Sequence, residues 1–271
     1  MAIKPKLFKQ MTKLIAGSMS AGRYDVRLAA DEDEVHQAQK LRYEVLYKES
    51  GGRVTRKMLN SEREEDEWDD IAYHVVVVDT KDEDKVVGTM RLVSSEALAE
   101  GQRFYTEHAF DLSGLRGHYC KLLELSRACV SPAGRGGAIL MLIWKYTMQF
   151  IEHNGYDVMF GCASFKGTDY RQHTEILSYL YAEHLASPAL MPIPRSEVES
   201  VAIKSFLSEP GKGKERGKVP TMLRGYLKIG AHISDHAIID PVFNTTFVAI
   251  YVDASYMFGS NHALVNKSID H

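Results

Sequence analysis

One carboxylate and one guanidinium interrupt an apolar run of nine residues, Leu122 to Val130, that otherwise has the pattern of a buried strand. Buried charges are costly unless they are paired or used in chemistry, which makes Glu124 the leading candidate for a general base. A carboxylate among apolar neighbours has a raised pKa and can accept a proton from an amine near neutral pH. From the spacing alone, a structural ion pair of Glu124 with Arg42 or Arg91 is an equally good interpretation.

Alternation along this strand places Ser126 on the face of Glu124 and Arg127 on the opposite face. On that opposite face, Arg127 either faces a substrate cleft or closes the end of a helix. The strand leads into a glycine-rich turn, Gly134 to Gly137, which opens a strongly apolar helix from Ala138 to His153. Backbone N–H groups in such a turn can bind a phosphate. No Walker lysine and no dinucleotide fingerprint accompany the turn, so this signal is weak by itself.

Three further segments must position these groups. A helix capped by Asp31 or Asp33 should run to about Glu49 and carry Arg42 on or beside its apolar stripe, where it either reaches solvent or forms a structural pair. An acidic run from Glu62 to Asp70 contains Trp68, an aromatic anchor that could order the loop over a site. The strands His74 to Asp79 and Val86 to Val93 predict an antiparallel hairpin that carries Arg91.

The remaining pattern predicts a single α/β domain. We expect strands at Arg23–Leu28, Val158–Ala163, Arg224–Ile229 and Thr246–Asp253, a loop at Ser164–Thr168, and a helix at Glu175–His184. The domain should occupy residues 23–258, between a basic segment at 1–22 and a flexible tail at 259–271.

Composition excludes several classes of protein. A formal net charge of −3 argues against a general nucleic-acid binder. The three cysteines, all in apolar strand-like contexts, show neither a disulfide framework nor metal-ligand spacing, and the eleven histidines show no metal pattern. A reducing cytoplasm is therefore expected, and no apolar run is long enough to span a bilayer. The start of the chain has four lysines, no acid and apolar residues at helical spacing, which fits either a helix on an anionic membrane surface or a solvated tail.

Seven short segments, taken as an ordered set from about Tyr24 to Asp253, resemble the GNAT-superfamily acyltransferases that load a 3-hydroxyacyl chain from acyl carrier protein onto the α-amine of ornithine. The segments are Leu41–Val45, Trp68-Asp69, Val87–Leu92, Leu123–Arg127, Arg135–Leu140, Gly161–Gly167 and Asp240–Asn244. Several are also similar to acyl-homoserine-lactone synthases. In those enzymes Arg, Asp, Arg and Glu-x-x-Arg occupy places like Arg42, Asp69 or Asp70, Arg91 and Glu124 to Arg127.

The resemblance implies a mixed, mostly antiparallel sheet flanked by helices and splayed at the strand that carries Glu124. It implies a catalytic role for Glu124, Arg91 and Arg42. It implies that the substrate-binding residues are Trp68, Asp69, Asp70, Ser126, Arg127 and Ser164. It implies that the phosphopantetheine of the donor binds at Val130, Gly134, Arg135, Gly136 and Gly137, with no bound cofactor.

Two departures from the family pattern qualify these roles. The acetyl-CoA pattern of the superfamily does not fit the residues after Arg135, which favours carrier-bound phosphopantetheine over CoA. Relatives often have an Asp-His pair where this chain has Tyr73-His74, so no acceptor-binding role passes to Tyr73. The basic loop Lys212–Lys218 is either a docking surface for the acidic carrier protein or a solvated linker.

Three alternatives stay open. One is an acyl-homoserine-lactone synthase that uses S-adenosylmethionine as acceptor. Another is an N-acyltransferase for glutamine, glycine or lysine. The last is a non-enzymatic membrane-surface protein that binds through its basic start, although this gives no reason for Glu124 and the glycine turn to occur together.

Overall fold

The structure is a computed structural model of the 271-residue chain, and it describes residues 17–207 and 219–259. The strands are β1 Met19–Ala21, β2 Tyr24–Leu28, β3 Tyr73–Asp79, β4 Lys85–Ser94, β5 Phe110–Asp111, β6 Leu122–Val130, β7 Val158–Lys166, β8 Ile193–Pro194, β9 Ser200–Ala202, β10 His232–Ile233, β11 His236–Asp240 and β12 Thr245–Asp253. The α-helices are α1 Glu32–Arg42, α2 Arg56–Ser61, α3 Ser113–His118, α4 Ala138–Asn154, α5 Thr174–His184, α6 Thr221–Lys228 and α7 Ala254–Phe258. A π-helix, Tyr43–Glu49, continues α1.

The described residues form two compact units. One holds the chain up to Glu100 together with Leu125–Tyr156, and the other holds Gly101–Glu124 and the chain from Asp157 onward. Strands of the first unit are ordered β1-β2-β3-β4-β6, and those of the second β7-β12-β11-β9, with β10 also on β12. The pairings whose register is described are antiparallel. An α/β architecture with a mostly antiparallel sheet is therefore confirmed, while the domain boundaries and the splay stay predictions.

The valine run of β3 explains how helices cover the sheet of the first unit. Val76 and Val78 belong to a buried cluster with Val35, Ala38 and Leu41 of α1. Neighbouring positions on a strand face opposite sides, so Val77 and its partner Gly88 face away from α1, toward Ile139 of α4. All seven residues of β3 are buried because the sheet is covered on both faces.

Most predicted elements are confirmed. The helix begins at an Asp31 cap, where the side chain accepts a hydrogen bond from the Glu34 N–H, and helical structure extends through Glu49 as expected. The hairpin, the strand from Leu122 to Val130, the apolar helix and the helix near Glu175 occur at the predicted places.

Three local predictions are wrong. The segment from Arg224 to Ile229 is mostly helix, because Leu223, Tyr226 and Leu227 recur at three- and four-residue steps and bury Leu223. Ser164 lies in β7 opposite Phe247 rather than in a loop, since β7 pairs with β12 along its whole length. Cys120 is exposed and precedes β6, outside any strand.

Three segments singled out above fall wholly or partly outside the described residues: the basic start before residue 17, the loop Lys212–Lys218, and the tail from residue 260. None of the helices within residues 17–207 and 219–259 is long and apolar enough to cross a membrane.

Gly88 tests the contact between β4 and α4. A Cβ at this position would meet Ile139 Cγ2 at 2.5 Å, and Ile139 is a stiff, fully buried side chain. We expect Gly88→Ala to lower the free energy of unfolding by about 1–3 kcal/mol through overpacking. Urea denaturation measures this, with Gly117→Ala in α3 as the control, because nothing lies within 4 Å of a Cβ there. Equal stability of the two variants would contradict the described packing.

Candidate active site

Glu124 is fully buried, and two backbone N–H groups hold its carboxylate. The Thr106 N–H donates to Oε1 at 2.6 Å and the Tyr105 N–H donates to Oε2 at 3.1 Å. Donors to both oxygens fix the orientation of the carboxylate. Glu124 is therefore buried, as expected for a general base, and its carboxylate has a fixed orientation.

The turn that supplies these donors is itself anchored. It is a 3₁₀ turn, Thr106–His108, whose Glu107 is buried, accepts the Phe104 N–H at 2.9 Å and pairs with Arg116 at 2.6–2.7 Å through both oxygens. The Arg116 guanidinium also lies 4.8 Å from the centroid of the Phe104 ring. The sequence analysis missed Glu107 and Arg116, because no local pattern connects them to a strand that begins at Leu122.

Arg42 and Arg91 bind the acidic loop. Arg42 is completely buried and donates to both oxygens of Asp69, at 2.9 and 2.6 Å, while its Nε lies 2.5 Å from Glu64 Oε2. Arg91 is equally inaccessible and contacts Asp66 closely, with a second bond to Asp69 Oδ1 at 3.0 Å. The possibility that Arg42 reaches solvent is therefore wrong, and the pairing alternative holds with carboxylates of the loop.

Arg127 also pairs with carboxylates of the acidic loop, although strand alternation predicts that it faces away from Ser126. Its Nε lies 3.0 Å from Glu64 Oε1 and its Nη2 lies 3.0 Å from Asp66 Oδ2. The preceding Ser126 Oγ accepts from Arg91 Nε at 3.1 Å, so consecutive residues of β6 contact one network. The reason is a left-handed backbone at Arg127, φ 55°, which breaks the alternation of the strand.

We call these six residues the charge cluster: Arg42, Glu64, Asp66, Asp69, Arg91 and Arg127. Its three cations balance three carboxylates. Burial would raise the pKa of Asp69, but the charge and hydrogen bonds of Arg42 hold it far below its usual range. Burial likewise opposes ionisation of Glu64, and the charges of Arg127 and Arg42 lower its pKa nonetheless. Asp69 and Glu64 are therefore held in the ionised form, which suits a role in positioning better than proton transfer.

Trp68 and His74 complete the surroundings of the cluster. The Trp68 side chain is buried, and the Arg91 guanidinium lies 5.9 Å from the centroid of its ring. His74 is buried on β3, and its Nε2 lies 3.1 Å from the Asp69 carbonyl oxygen, an acceptor to which it donates. Of the two aspartates that the family resemblance offers for one position, Asp69 is buried and Asp70 is exposed.

The glycine turn directly precedes α4, as expected. Gly137 is the N-terminal cap residue of α4 at φ 96°, Gly136 also has a positive φ, and no side-chain hydrogen bond caps the helix. A Cβ at either glycine would meet no atom within 4 Å, so this part of the turn is open, whereas a Cβ at Gly134 would clash with Ile139 Cδ1. Arg135 is half-exposed and pairs with Glu49 through two bonds of 2.7 and 2.6 Å. Ser131 Oγ is buried without a hydrogen-bond partner in the described part of the chain.

Two predicted site residues remain, Val130 and Ser164. Val130 ends β6 and is half-buried, and Ser164 is exposed on β7. Within the described ranges, no group of three or more His, Cys, Asp or Glu side chains could hold a metal ion.

Known proteins resemble this chain at two levels. Residues 41–145 match the family described as the acetyltransferase (GNAT) domain. An "L-ornithine N(alpha)-acyltransferase" of Rhodobacter capsulatus is 32% identical over 253 residues, which cover 91% of this chain and 96% of that protein. A protein of the same name from Brucella abortus is 32% identical, covering 84% of each chain.

Solved structures are more distant. An N-acyl amino acid synthase from uncultured soil microbes is 10% identical, with a TM-score of 0.42, over 86% of this chain and 92% of the other. A CoA-dependent acyl-homoserine lactone synthase is 13% identical, with a TM-score of 0.44, over 88% and 94%. These two likenesses carry no weight for function.

His74 gives the structure a predictable acid sensitivity. Burial lowers the pKa of His74 to about 4, with the charges of Arg42 and Arg91 adding to the effect against that of Asp69. Between pH 6.5 and pH 4 the unfolded chain binds a proton at this site that the folded chain does not bind. The free energy of unfolding should therefore fall by about 3 kcal/mol as the pH drops through this window.

The test is urea denaturation of the native protein and of His74→Gln at several pH values from 7 to 4. Glutamine can still donate to the Asp69 carbonyl but does not titrate, so its stability profile should be flatter in this window. The exposed His118→Gln serves as control and should follow the native profile. Parallel profiles for native protein and His74→Gln would show that His74 is not held neutral by the fold.

Proposed function

Since the chain belongs to the L-ornithine N(alpha)-acyltransferase family, a branch of the GNAT acyltransferases, we propose that it transfers an acyl group from a thioester to the α-amine of ornithine. The observation that carries the proposal is Glu124, a fully buried carboxylate held by the Tyr105 and Thr106 N–H groups. Such a group is poised to accept a proton from an ammonium substrate. The names of the curated relatives favour ornithine over S-adenosylmethionine and over other amino acids as acceptor.

The proposed reaction forms an amide and releases a thiol. Glu124, directly or through water, takes a proton from the α-ammonium group, and the free amine attacks the thioester carbonyl carbon. A new C–N bond forms while the carbonyl oxygen becomes an oxyanion, which backbone N–H groups of Leu125–Val130 stabilise. Collapse of this intermediate breaks the C–S bond. The leaving sulfur takes the second proton that the nitrogen loses and departs as the thiol, and Glu124 returns the first proton to solvent.

In this scheme the charge cluster positions the acidic loop and the strand β6 and takes no part in the bond changes or proton transfer. Its ions neutralise one another, so Arg42 and Arg91 serve to fix the acidic loop and, through Ser126 and Arg127, the strand that begins just before Glu124. The substrate-binding roles of Trp68, Asp69, Asp70, Ser126, Arg127 and Ser164 stay predictions.

We propose acyl carrier protein as the donor, with its phosphopantetheine phosphate at the glycine turn, Gly134 to Gly137. Three features support this: the open positions at Gly136 and Gly137, the first N–H groups of α4 without a side-chain cap, and the buried Ser131 Oγ close to Gly134, which has no described hydrogen-bond partner. Arg135 lies within the same turn, and Val130 ends the strand that leads into it. The sequence after Arg135 lacks the CoA pattern, which favours the carrier over free CoA as donor.

A donor-by-acceptor assay tests the proposal. The protein is incubated with 3-hydroxyacyl carrier protein or 3-hydroxyacyl-CoA and with ornithine, lysine, glutamine, glycine or S-adenosylmethionine, and products are identified by mass spectrometry. We expect Nα-acylornithine from the carrier at the highest kcat/KM. Preferential acylation of another acceptor, or formation of a lactone, would contradict the proposed acceptor. Equal or better use of CoA would contradict the proposed donor.

Glu124→Gln should lower kcat by about 10²–10⁴-fold, the range for loss of a general base. It should also lower the free energy of unfolding by about 1–3 kcal/mol, because the amide NH₂ must face one of the two backbone donors. Activity is therefore expressed per folded molecule, measured by denaturation in the assay buffer.

Glu34→Gln is the matched control. Glu34 is buried on α1 and also accepts a backbone N–H, from Ala30 at 2.7 Å, but it lies outside the proposed chemistry. We expect a loss of stability with kcat within a few-fold of the native value. If Glu124→Gln keeps native kcat, or if both variants lose kcat equally, Glu124 is not the base.

We further propose that the basic start of the chain binds the anionic inner face of the cytoplasmic membrane, where an acylated amino acid would partition. A truncation must spare β1, because Met19–Ala21 pairs with β2. Removal of residues 1–16 should leave kcat with water-soluble substrates unchanged and abolish flotation with anionic liposomes. Four lysines at about 1 kcal/mol each would give reversible binding, which a Lys→Gln variant at all four positions should also abolish. Flotation that survives truncation would contradict the idea.

A further inference from the structure

We infer that the exposed segment of residues 48–59, called here the basic face, docks the acidic surface of the acyl carrier protein. The inference rests on the proposed function, which requires a phosphopantetheine-bearing donor. It concerns the recognition of the carrier protein itself, as distinct from recognition of its prosthetic arm.

Charge and exposure set the basic face apart. It carries four exposed cations, Lys48, Arg53, Arg56 and Lys57, and only one carboxylate, Glu49. Arg53 and Arg56 make no described ion pair, while Lys57 reaches Glu65 at 2.7 Å and Glu49 is neutralised by Arg135. This positive surface occurs in a chain whose net charge is −3, so it marks a local departure that favours an acidic partner.

An apolar side chain lies within the same surface. Leu59 is 61% exposed on α2, three residues after Arg56, a spacing that places the two side chains on one side of the helix. A large apolar group on the same side of a helix as a cation is suited to a protein surface that combines carboxylates with an apolar spot. One leucine offers too little apolar area to insert stably in a bilayer.

The ion pair between Arg135 and Glu49 connects the glycine turn with the start of the basic face. Its two hydrogen bonds, of 2.7 and 2.6 Å, join the turn to the end of the π-helix, and Arg53 follows four residues later, within about 14 Å of extended chain. In a carrier protein the phosphate joins the arm to the protein surface. A phosphate held at the turn therefore brings the surface of the carrier beside Arg135, within reach of the basic face.

Charge reversal separates docking from chemistry. For Arg53→Glu/Arg56→Glu we expect the KM for 3-hydroxyacyl carrier protein to rise about tenfold or more at low ionic strength, with a smaller rise at high salt. The KM for ornithine, the kcat, and the kinetics with 3-hydroxyacyl-phosphopantetheine, a donor without the carrier protein, should stay native. Lys81→Glu/Lys204→Glu applies the same change of charge at two exposed lysines outside the basic face and should leave every constant native.

Any of the following results would contradict the inference. An unchanged KM for the carrier, or an equal rise in the Lys81/Lys204 control, shows that the basic face does not dock it specifically. Loss of liposome binding with native carrier kinetics would make the surface a membrane contact. If the native protein acylates ornithine from phosphopantetheine or CoA thioesters but not from the carrier, the docking inference falls and acyl transfer stands. If it acylates ornithine from no donor, the proposed function itself fails.

Discussion

One buried carboxylate, Asp69, is shared by two buried guanidinium groups, and the first unit of the structure depends on this arrangement. Arg42 comes from the end of α1, Arg91 from β4, and Asp69 from the acidic loop between them in sequence. Ions enclosed by protein are tolerated only when their charges and hydrogen bonds are satisfied. Helix, strand and loop are therefore fixed relative to one another by the requirement that no member of the charge cluster lose its partner.

Glu124 is held in a different way from the carboxylates of the charge cluster. Within the charge cluster, Asp69 and Glu64 face cations that lower their pKa values and keep them ionised. Two backbone N–H groups donate to Glu124 and orient its carboxylate, and Arg116 adds the attraction of a cation. Backbone donors therefore contribute to the orientation of Glu124, whereas guanidinium groups hold Asp69.

Hydrophobic periodicity was enough to predict the strand Leu122–Val130, the hairpin and α4, because each element buries a continuous apolar face. It failed at Arg127, where one left-handed residue turns consecutive side chains toward the same network. It fails again at Arg224–Ile229, where the pattern predicts a strand and the structure has most of a short amphipathic helix. The anchoring of Glu124 by the Glu107 turn could not be predicted at all, since it joins segments that only the tertiary fold brings together.

The coupling energy between Arg42 and Asp69 tests the central claim most directly. Urea denaturation at pH 7 gives the free energy of unfolding for the native protein, for Arg42→Met, for Asp69→Asn and for the double variant. If the pair is the constraint described, each single change should cost about 3–5 kcal/mol, because it leaves a buried charge uncompensated. The double variant should then be more stable than the sum of the singles predicts, by at least about 1 kcal/mol. Additive effects of the two changes would contradict the account.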